Sequence, residues 1–154
     1  MTANAQTPRS ERIVVGVDGS ESSMQALRWA RYLASATGDG VEVVTAWQAR
    51  GAYNMGVVPD QEASGDADPL ATATSAVERV YGEAKPATVQ ITVHEGHAAK
   101  VLIDASAGAR MLVVGSRGLG GFSGLLLGSV SNTCSEHARC PVLIVHGSSR
   151  PPAS

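Results

Sequence analysis

Hydrophobic positions along the chain change their spacing in a regular order, from short apolar runs to longer stripes with helical periodicity. Residues 13–17 read IVVGV, a β-branched run without polar alternation, which is typical of a strand covered on both faces. Apolar residues then recur at helical spacing from Met24 to Ala34, with Ser20 as the predicted N-cap and Gly38 as the predicted stop. This segment predicts a strand, a tight turn and a helix, the first half of a βαβ unit.

The same alternation continues to the end of the chain. Further strands are predicted at 41–47, 88–94, 111–114 and 141–145. Further helices are predicted to begin near 69, to run from about 98 to 107, and to run from about 129 to 138. The strand at 88–94 alternates apolar and polar residues, which favours a place near a sheet edge. Five strands that alternate with helices predict an α/β fold, a doubly wound parallel sheet with right-handed crossovers and helices on both faces.

The second helix has a clear predicted start, because Asp68 is a favoured N-cap and Pro69 is favoured at the first helical position. One face of this helix is predicted to hold its apolar residues: Leu70, Ala73, Val77, Val80 or Tyr81, and Ala84. The preceding stretch, 48–67, has turn residues and no sustained period, and we expect a long loop whose role the sequence does not reveal.

Length and composition favour one cytoplasmic domain. The 154 residues are 44% hydrophobic and 17% charged, enough for one hydrophobic core. A net charge of -2 argues against nucleic-acid binding, which depends on clustered Lys and Arg, and no apolar run is long enough to span a membrane. We expect the domain to cover 11–147, with mobile polar tails at 1–10 and 148–154.

Other reactive residues form no recognisable site. Cys134 and Cys140 are too few for a disulfide framework and are expected to be free thiols in a reducing compartment. His94 and His97 lack the i, i+4 spacing of a helical zinc motif, so no metal site is predicted, although 96–98 follows the third strand and could border a ligand pocket. No Ser-His-Asp or Cys-His set occurs in an order that suggests a nucleophile with its general base, so no catalytic residue is predicted.

Two loops with unusual chemistry follow the first and fourth strands. In open α/β sheets, ligands bind beyond the carboxyl ends of strands where the strand order reverses. If strands one and four are neighbours there, one crevice receives Asp18 from the loop GVDGS and the glycines of the loop 115–131. Asp18 is also suited to an Asx turn that starts the helix.

The second of these loops suits an anion. Its glycines would let main-chain N–H groups converge, while a helix beginning at 128–131 adds orphan amides and a positive dipole end. Ser129 and Ser131 bring hydroxyl donors, and Arg117 brings a positive charge. The alternative interpretation is a flexible surface loop, which its position between a buried strand and a helix start makes less favourable.

Three separated segments resemble the universal stress protein family. In the middle segment, VVGSRGLGGFSGLLLGSVS, the spacing Gly115-x2-Gly118-x9-Gly128-Ser129 matches the G-x2-G-x9-G-[ST] pattern of the family's nucleotide-binding branch. VVGVDGSESSMQAL at the start and CPVLIVH at the end also look like hallmarks of the family. The resemblance implies strand order 3-2-1-4-5, an ATP-binding protein and a homodimer. The apolar strand from Pro141 to Val145 is the expected dimer edge, since an exposed edge strand is hazardous unless paired.

The resemblance also implies which residues bind the nucleotide. Gly16, Val17 and Asp18 would meet adenosine, and Ala46 would lie against adenine. The phosphates and ribose would be held by residues of the fourth strand and of the loop and helix after it: Val114, Gly115, Arg117, Gly118, Gly128, Ser129, Val130 and Ser131.

The sequence leaves three classes of function open. The first is a sensor that binds an adenine nucleotide in a stress response, with ATP first and AMP or cyclic AMP as rivals. ATP carries about four negative charges, for which one arginine and a helix end suffice only if Mg²⁺ shares the load. The second is a slow ATPase or autophosphorylating protein that uses Ser129 or Ser131. The third, a ligand-free interaction module, is disfavoured by the intact glycine motif.

Overall fold

The computed structural model describes residues 11–48, 68–83, 85–118 and 127–153. Its sheet has five parallel strands in the order β3-β2-β1-β4-β5, which confirms the predicted doubly wound α/β fold. The strands are β1 (Arg12–Gly16), β2 (Gly40–Trp47), β3 (Val89–Glu95), β4 (Met111–Gly115) and β5 (Val142–Val145). The helices that the structure describes are α1 (Glu21–Thr37), α2 (Pro69–Tyr81), α3 (Ala98–Ala105) and α4 (Ser129–His137).

The side chains of alternate residues in the central strands belong to two hydrophobic clusters, one on each face of the sheet. Ile13 and Val15 of β1 belong to the cluster that packs against α1 and α2, whereas Val14 belongs to the cluster beneath α3 and α4. All three side chains are fully buried. Burial on both faces explains why the β1 sequence shows no polar alternation.

The predicted helix starts are confirmed. The Ser20 hydroxyl accepts the N–H of Ser23 at 3.2 Å, and α1 ends at Gly38, whose φ of 81° is left-handed. Asp68 caps α2 by accepting the N–H of Leu70 at 3.1 Å. Element boundaries differ from the prediction by one or two residues, as where α3 ends at Ala105.

One predicted core position is wrong. Leu70 was expected on the buried face of α2 but is 52% exposed, while Ala73, Ala76, Val77 and Val80 form the buried stripe. Leu70 has the right helical period but lies in the first turn of α2, before the buried stripe begins at Ala73. Tyr81 is half-buried against the same cluster, whereas Ala84 and the predicted loop after Gln48 lie outside the described residues.

Charged side chains join the elements at the amino end of the sheet. Arg12 donates to Glu42 at 2.8 Å and to the carbonyl of Ala105 at 2.7 Å, which ties β1 to β2 and to the end of α3. Arg110 pairs with the buried Asp39 and with Glu11. These pairs anchor the end of the sheet opposite to the loops that follow β1 and β4.

Hydrogen bonds and a neighbouring positive charge favour the ionised form of Asp39. Burial raises the pKa of this carboxyl, but hydrogen bonds from Arg110 and Thr37 and the charge of Arg110 outweigh it and hold the pKa below its ordinary value. The contribution of Asp39 to folding is therefore tied to its ionised form.

None of the helices within the described ranges is both long and apolar enough to cross a bilayer.

A residue that follows β5 packs on α1. The indole N–H of Trp29 donates to the carbonyl of Ser149 at 3.2 Å. This residue of the predicted C-terminal tail therefore contacts α1.

Candidate functional site

A cavity of about 350 Å³ lies at the carboxyl ends of β1, β2 and β4. Strands β1 and β4 are neighbours in the sheet, so the loops after them face one crevice, as the sequence predicts. Sixteen of the described residues line the cavity, and they include all twelve predicted site residues: Gly16, Val17, Asp18, Ala46, Val114, Gly115, Arg117, Gly118, Gly128, Ser129, Val130 and Ser131.

Main-chain and hydroxyl contacts hold the first wall of the cavity, the loop after β1. Val17 donates its N–H to the carbonyl of Val44 at 3.0 Å, and its own carbonyl accepts the buried hydroxyl of Thr45 at 2.9 Å. Asp18 accepts the N–H of Ser20 at 2.8 Å, which is the Asx turn that the sequence suggested. The Asp18 N–H donates to the Ser23 hydroxyl at 3.2 Å.

The three motif glycines meet different neighbours, and none of them has a positive φ. A Cβ on Gly115 would stand 2.6 Å from the Cβ of Ser22, so glycine there allows α1 to approach β4. A Cβ on Gly118 would stand 2.9 Å from Oδ2 of Asp18, at the cavity. A Cβ on Gly128 would meet the backbone from Ser116 to Gly118 at 3.4 Å or more, which is ordinary contact, so lack of space accounts for glycine at Gly115 and Gly118 but not at Gly128.

The N-terminus of α4 forms the second wall. Its N-cap, Gly128, has no side chain, and within the described residues no side-chain hydrogen bond caps the helix, so the first-turn amides are suited to a ligand. Gly128 donates its own N–H to the carbonyl of Ser116 at 2.7 Å, which anchors the helix start to the first residue after β4.

The two serines in the first turn of this helix differ. Ser131 is buried, and its hydroxyl is within hydrogen-bond distance of the carbonyls of Ser116 (3.0 Å) and Gly128 (3.1 Å). Because a hydroxyl has one proton to donate, that proton is used inside the protein, which differs from the expectation that Ser131 offers it to an anion. Ser129 is exposed at the helix start.

Apolar residues form the other half of the lining. Leu102 of α3 packs where a Cβ on Gly16 would come within 2.8 Å of it, so the glycine makes room for this leucine. The remaining apolar lining residues among those described are Val17, Val44, Ala46, Ala98, Val114 and Val130. The cavity therefore has an apolar side from the sheet and α3 and a polar side from the two loops and α4.

Four lining residues were absent from the predicted site: Ser23, Val44, Ala98 and Leu102. Two of them carried a usable signal, because Val44 lies two residues before Ala46 on the same face of β2 and Leu102 lies four residues after Ala98 on α3. Ala98 was considered with Gly96 and His97, which do not line the cavity. Instead, Nδ1 of His97 lies 2.9 Å from Nε2 of Gln48.

Two ionisable side chains line the cavity within the part of the chain that the structure describes. They are the guanidinium of Arg117 and the carboxylate of Asp18, both on exposed residues. Their formal charges cancel, so the partial positive end of the α4 dipole adds the remaining attraction for an anion.

Sequence comparison identifies related proteins. A universal stress protein of Mycolicibacterium smegmatis is 38% identical over 142 residues, which cover 88% of this chain and 48% of that protein. A universal stress protein of Mycobacterium tuberculosis is 34% identical over 140 residues, which cover 87% of this chain and 47% of that protein. The chain thus spans about half the length of these curated relatives.

Solved structures share the fold. A universal stress protein in complex with cAMP has a TM-score of 0.62 and 27% identity, over 90% of this chain and 98% of that one. One from Archaeoglobus fulgidus in complex with dAMP has a TM-score of 0.59 and 21% identity, over 88% and 97%. The model of the universal stress protein family matches residues 9–146, and the chain belongs to that family.

Proposed function

We propose that the cavity binds an adenine nucleotide and that the protein acts as a nucleotide-dependent sensor or regulatory module in a stress response. The observation that carries the proposal is the convergence of the predicted loop residues around one cavity with an apolar side and a polar side. Its volume of about 350 Å³ lies within the range of small-molecule sites.

The two sides suggest how the ligand is oriented. The base would lie against the apolar side, between Ala46 and Leu102, where burial of a flat ring is favourable. The phosphates would lie at the uncapped N-terminus of α4, near Arg117 and Gly118. Asp18, in the loop after β1, has a carboxylate that can accept hydrogen bonds from ribose hydroxyls.

ATP is the first candidate, because the glycine pattern resembles that of ATP-binding members of the family. A triphosphate brings about four negative charges. Mg²⁺ would be held mainly by the phosphates themselves, with Asp18 close enough to act through water. These residues fit a Mg–nucleotide complex, in which the metal would neutralise phosphate charge.

AMP or cyclic AMP is the second candidate, and the charge of the lining favours it. Arg117 and Asp18 cancel, and one helix end supplies only about half a unit of positive charge. A monophosphate needs less neutralisation than a triphosphate. A universal stress protein with 27% identity to this chain was solved with cAMP.

Isothermal titration calorimetry of the full chain with ATP, AMP and cyclic AMP, each with and without Mg²⁺, tests the proposal. We expect saturable one-site binding of at least one nucleotide, with ATP strengthened by Mg²⁺. GTP is the control for the base. No binding of any adenine nucleotide to folded protein, or equal binding of GTP, would contradict the proposal.

We also propose a homodimer formed through 141–145. Strand β5 is an edge of the described sheet, and its Val142, Leu143 and Ile144 are only partly buried. An apolar edge strand is stable in solution when another strand or surface covers it. Sedimentation equilibrium should give twice the mass of one chain, and a monomer at all concentrations tested would contradict this.

A further inference from the structure

A buried serine on α1 is bonded to the phosphate side of the proposed site without lining the cavity. Ser22 is 7% exposed, and its hydroxyl donates to the main-chain carbonyl of Arg117 at 3.1 Å. The two residues are 95 positions apart, so this bond joins the first turn of α1 to the loop after β4.

This bond fixes the peptide unit between Arg117 and Gly118, two residues that line the cavity. In a trans peptide the carbonyl and the following N–H point in opposite directions. Because the Arg117 carbonyl points towards Ser22, the N–H of Gly118 points away from α1. The Gly118 nitrogen lies next to the start of α4, 3.6 Å from the position that a Cβ on Gly128 would take. Ser22 thereby sets the direction of one main-chain donor and the origin of the Arg117 side chain.

Close packing keeps Ser22 in place. A Cβ on Gly115 would stand 2.6 Å from its Cβ and 2.7 Å from its carbonyl carbon, so the first turn of α1 lies directly on the end of β4. The same loop is held from the other side, where Ser116 donates its N–H to the carbonyl of Val145 at 2.8 Å. The start of the loop is thus held by β5 at Ser116 and by α1 at the Arg117 carbonyl.

We infer that Ser22 is a positioning residue for the phosphate side of the nucleotide site, acting through the Arg117–Gly118 peptide. The inference rests on the proposed function. Adenosine, which has no phosphate, would use the apolar side and the β1 loop, and would not depend on this peptide. Ser22 should therefore affect affinity for nucleotides but not for the nucleoside.

The test compares ATP and adenosine binding to wild type and Ser22→Ala by calorimetry. Removal of one hydrogen bond that orients a charged contact should weaken ATP binding roughly five- to tenfold. Adenosine affinity should stay within about twofold, since no contact of the nucleoside is removed. An unchanged ATP affinity, or an equal loss for both ligands, would overturn the inference.

Ser106→Ala is the matched control. Ser106 is 1% exposed, and its hydroxyl donates to the carbonyl of Ile103 at 2.9 Å, at the opposite end of the sheet from the cavity. Its loss should leave both affinities unchanged. If Ser106→Ala weakened ATP as much as Ser22→Ala, the effect would be one of general stability, and the inference would fail.

A measurement without ligand provides an independent check. In the ¹H–¹⁵N spectrum of the unliganded protein, the Gly118 amide resonance should move in Ser22→Ala and stay in place in Ser106→Ala, because only the first variant frees its peptide unit. An unmoved resonance in Ser22→Ala would overturn the inference.

Two further provisions keep the test decisive. Should Ser22→Ala not fold, Ser22→Cys substitutes a weaker donor of similar shape for the same ATP and adenosine comparison. The comparison with adenosine is made with whichever of ATP, AMP and cyclic AMP binds wild type most tightly, and wild-type protein that binds none of the three would refute the proposed function itself. Wild-type binding with no ATP-specific loss in the variant would refute only the role of Ser22.

Discussion

Gly115 and Ser22 are in such close contact that a Cβ on Gly115 would stand 2.6 Å from the Cβ of Ser22. Gly115 is the first glycine of the motif that resembles a nucleotide-binding loop, yet its neighbours are the side chain and backbone of α1. Its absent side chain therefore serves helix-to-strand packing, while Gly118 lies beside Asp18 at the cavity.

Gly115→Ala should lower the free energy of unfolding by about 1–3 kcal/mol, because the new methyl overpacks against the first turn of α1. Urea unfolding followed by circular dichroism measures this. Gly118→Ala is the control: its new Cβ meets only the end of the Asp18 side chain, and it should cost less stability. Equal losses in the two variants would contradict the packing role of Gly115.

Gly118→Val should abolish nucleotide binding and leave the thermal unfolding curve of the unliganded protein almost unchanged. Gly118 is exposed, and a branched side chain there would project towards Asp18 and occupy space at the cavity. Calorimetry with ATP and differential scanning calorimetry without ligand give the two readouts. Loss of both properties together would mean that the loop has a structural role instead.

Arg117→Ala should weaken ATP binding more than AMP binding. Its guanidinium is the single positive side chain among the lining residues that the structure describes, and more phosphate charge means more attraction lost. Titrations of both nucleotides at low ionic strength check this. Arg79→Ala, an exposed residue in the last turn of α2, is the control for net charge. An identical loss for both nucleotides would place Arg117 away from the distal phosphates.

Asp39→Asn should destabilise the protein at neutral pH, with a difference from wild type that shrinks on acidification. The folded-state pKa of Asp39 lies below its ordinary value, because hydrogen bonds from Arg110 and Thr37 outweigh the effect of burial. Its stabilisation is complete above the unfolded pKa, near 3.9, and is lost as the pH falls through the folded pKa. Urea unfolding of both proteins from about pH 7 to about pH 3 measures the difference. A difference that does not change with pH would contradict the prediction.

Cys134 should resist alkylation in the native protein. Burial, with a further contribution from Cys140, raises the pKa of its thiol to about 11, and its side chain is fully buried. At about pH 8 the reactive thiolate is therefore scarce and inaccessible. Iodoacetamide labelling followed by mass spectrometry should modify the half-buried Cys140 first and Cys134 only when urea is added. Prompt labelling of Cys134 without denaturant would contradict this.

The order of elements could be predicted from residue spacing, since buried strands and amphipathic helices have distinct periods. The helix starts at Ser20 and Asp68 followed from local hydrogen bonding, which a few neighbouring residues determine. The exposure of Leu70 could not be predicted in this way, because it depends on whether another element covers the first turn of α2.

The site was predictable where it consists of loops attached to strand ends, and less so where it depends on contacts between distant elements. Leu102 reaches the cavity from α3 because Gly16 leaves room for it, a relationship over 86 positions that periodicity does not contain. The internal bonds of the Ser131 hydroxyl and the bond from Ser22 to Arg117 likewise arise only when the elements pack.

The ion pairs of Arg12 and Arg110 lie at one end of the sheet, and the glycine-rich loops lie at the other. Because the two groups of residues are separate, substitutions at the loop end can change the ligand preference without breaking the ion pairs that join the strands. A fold divided in this way is a tolerant starting point for evolution and for engineered specificity.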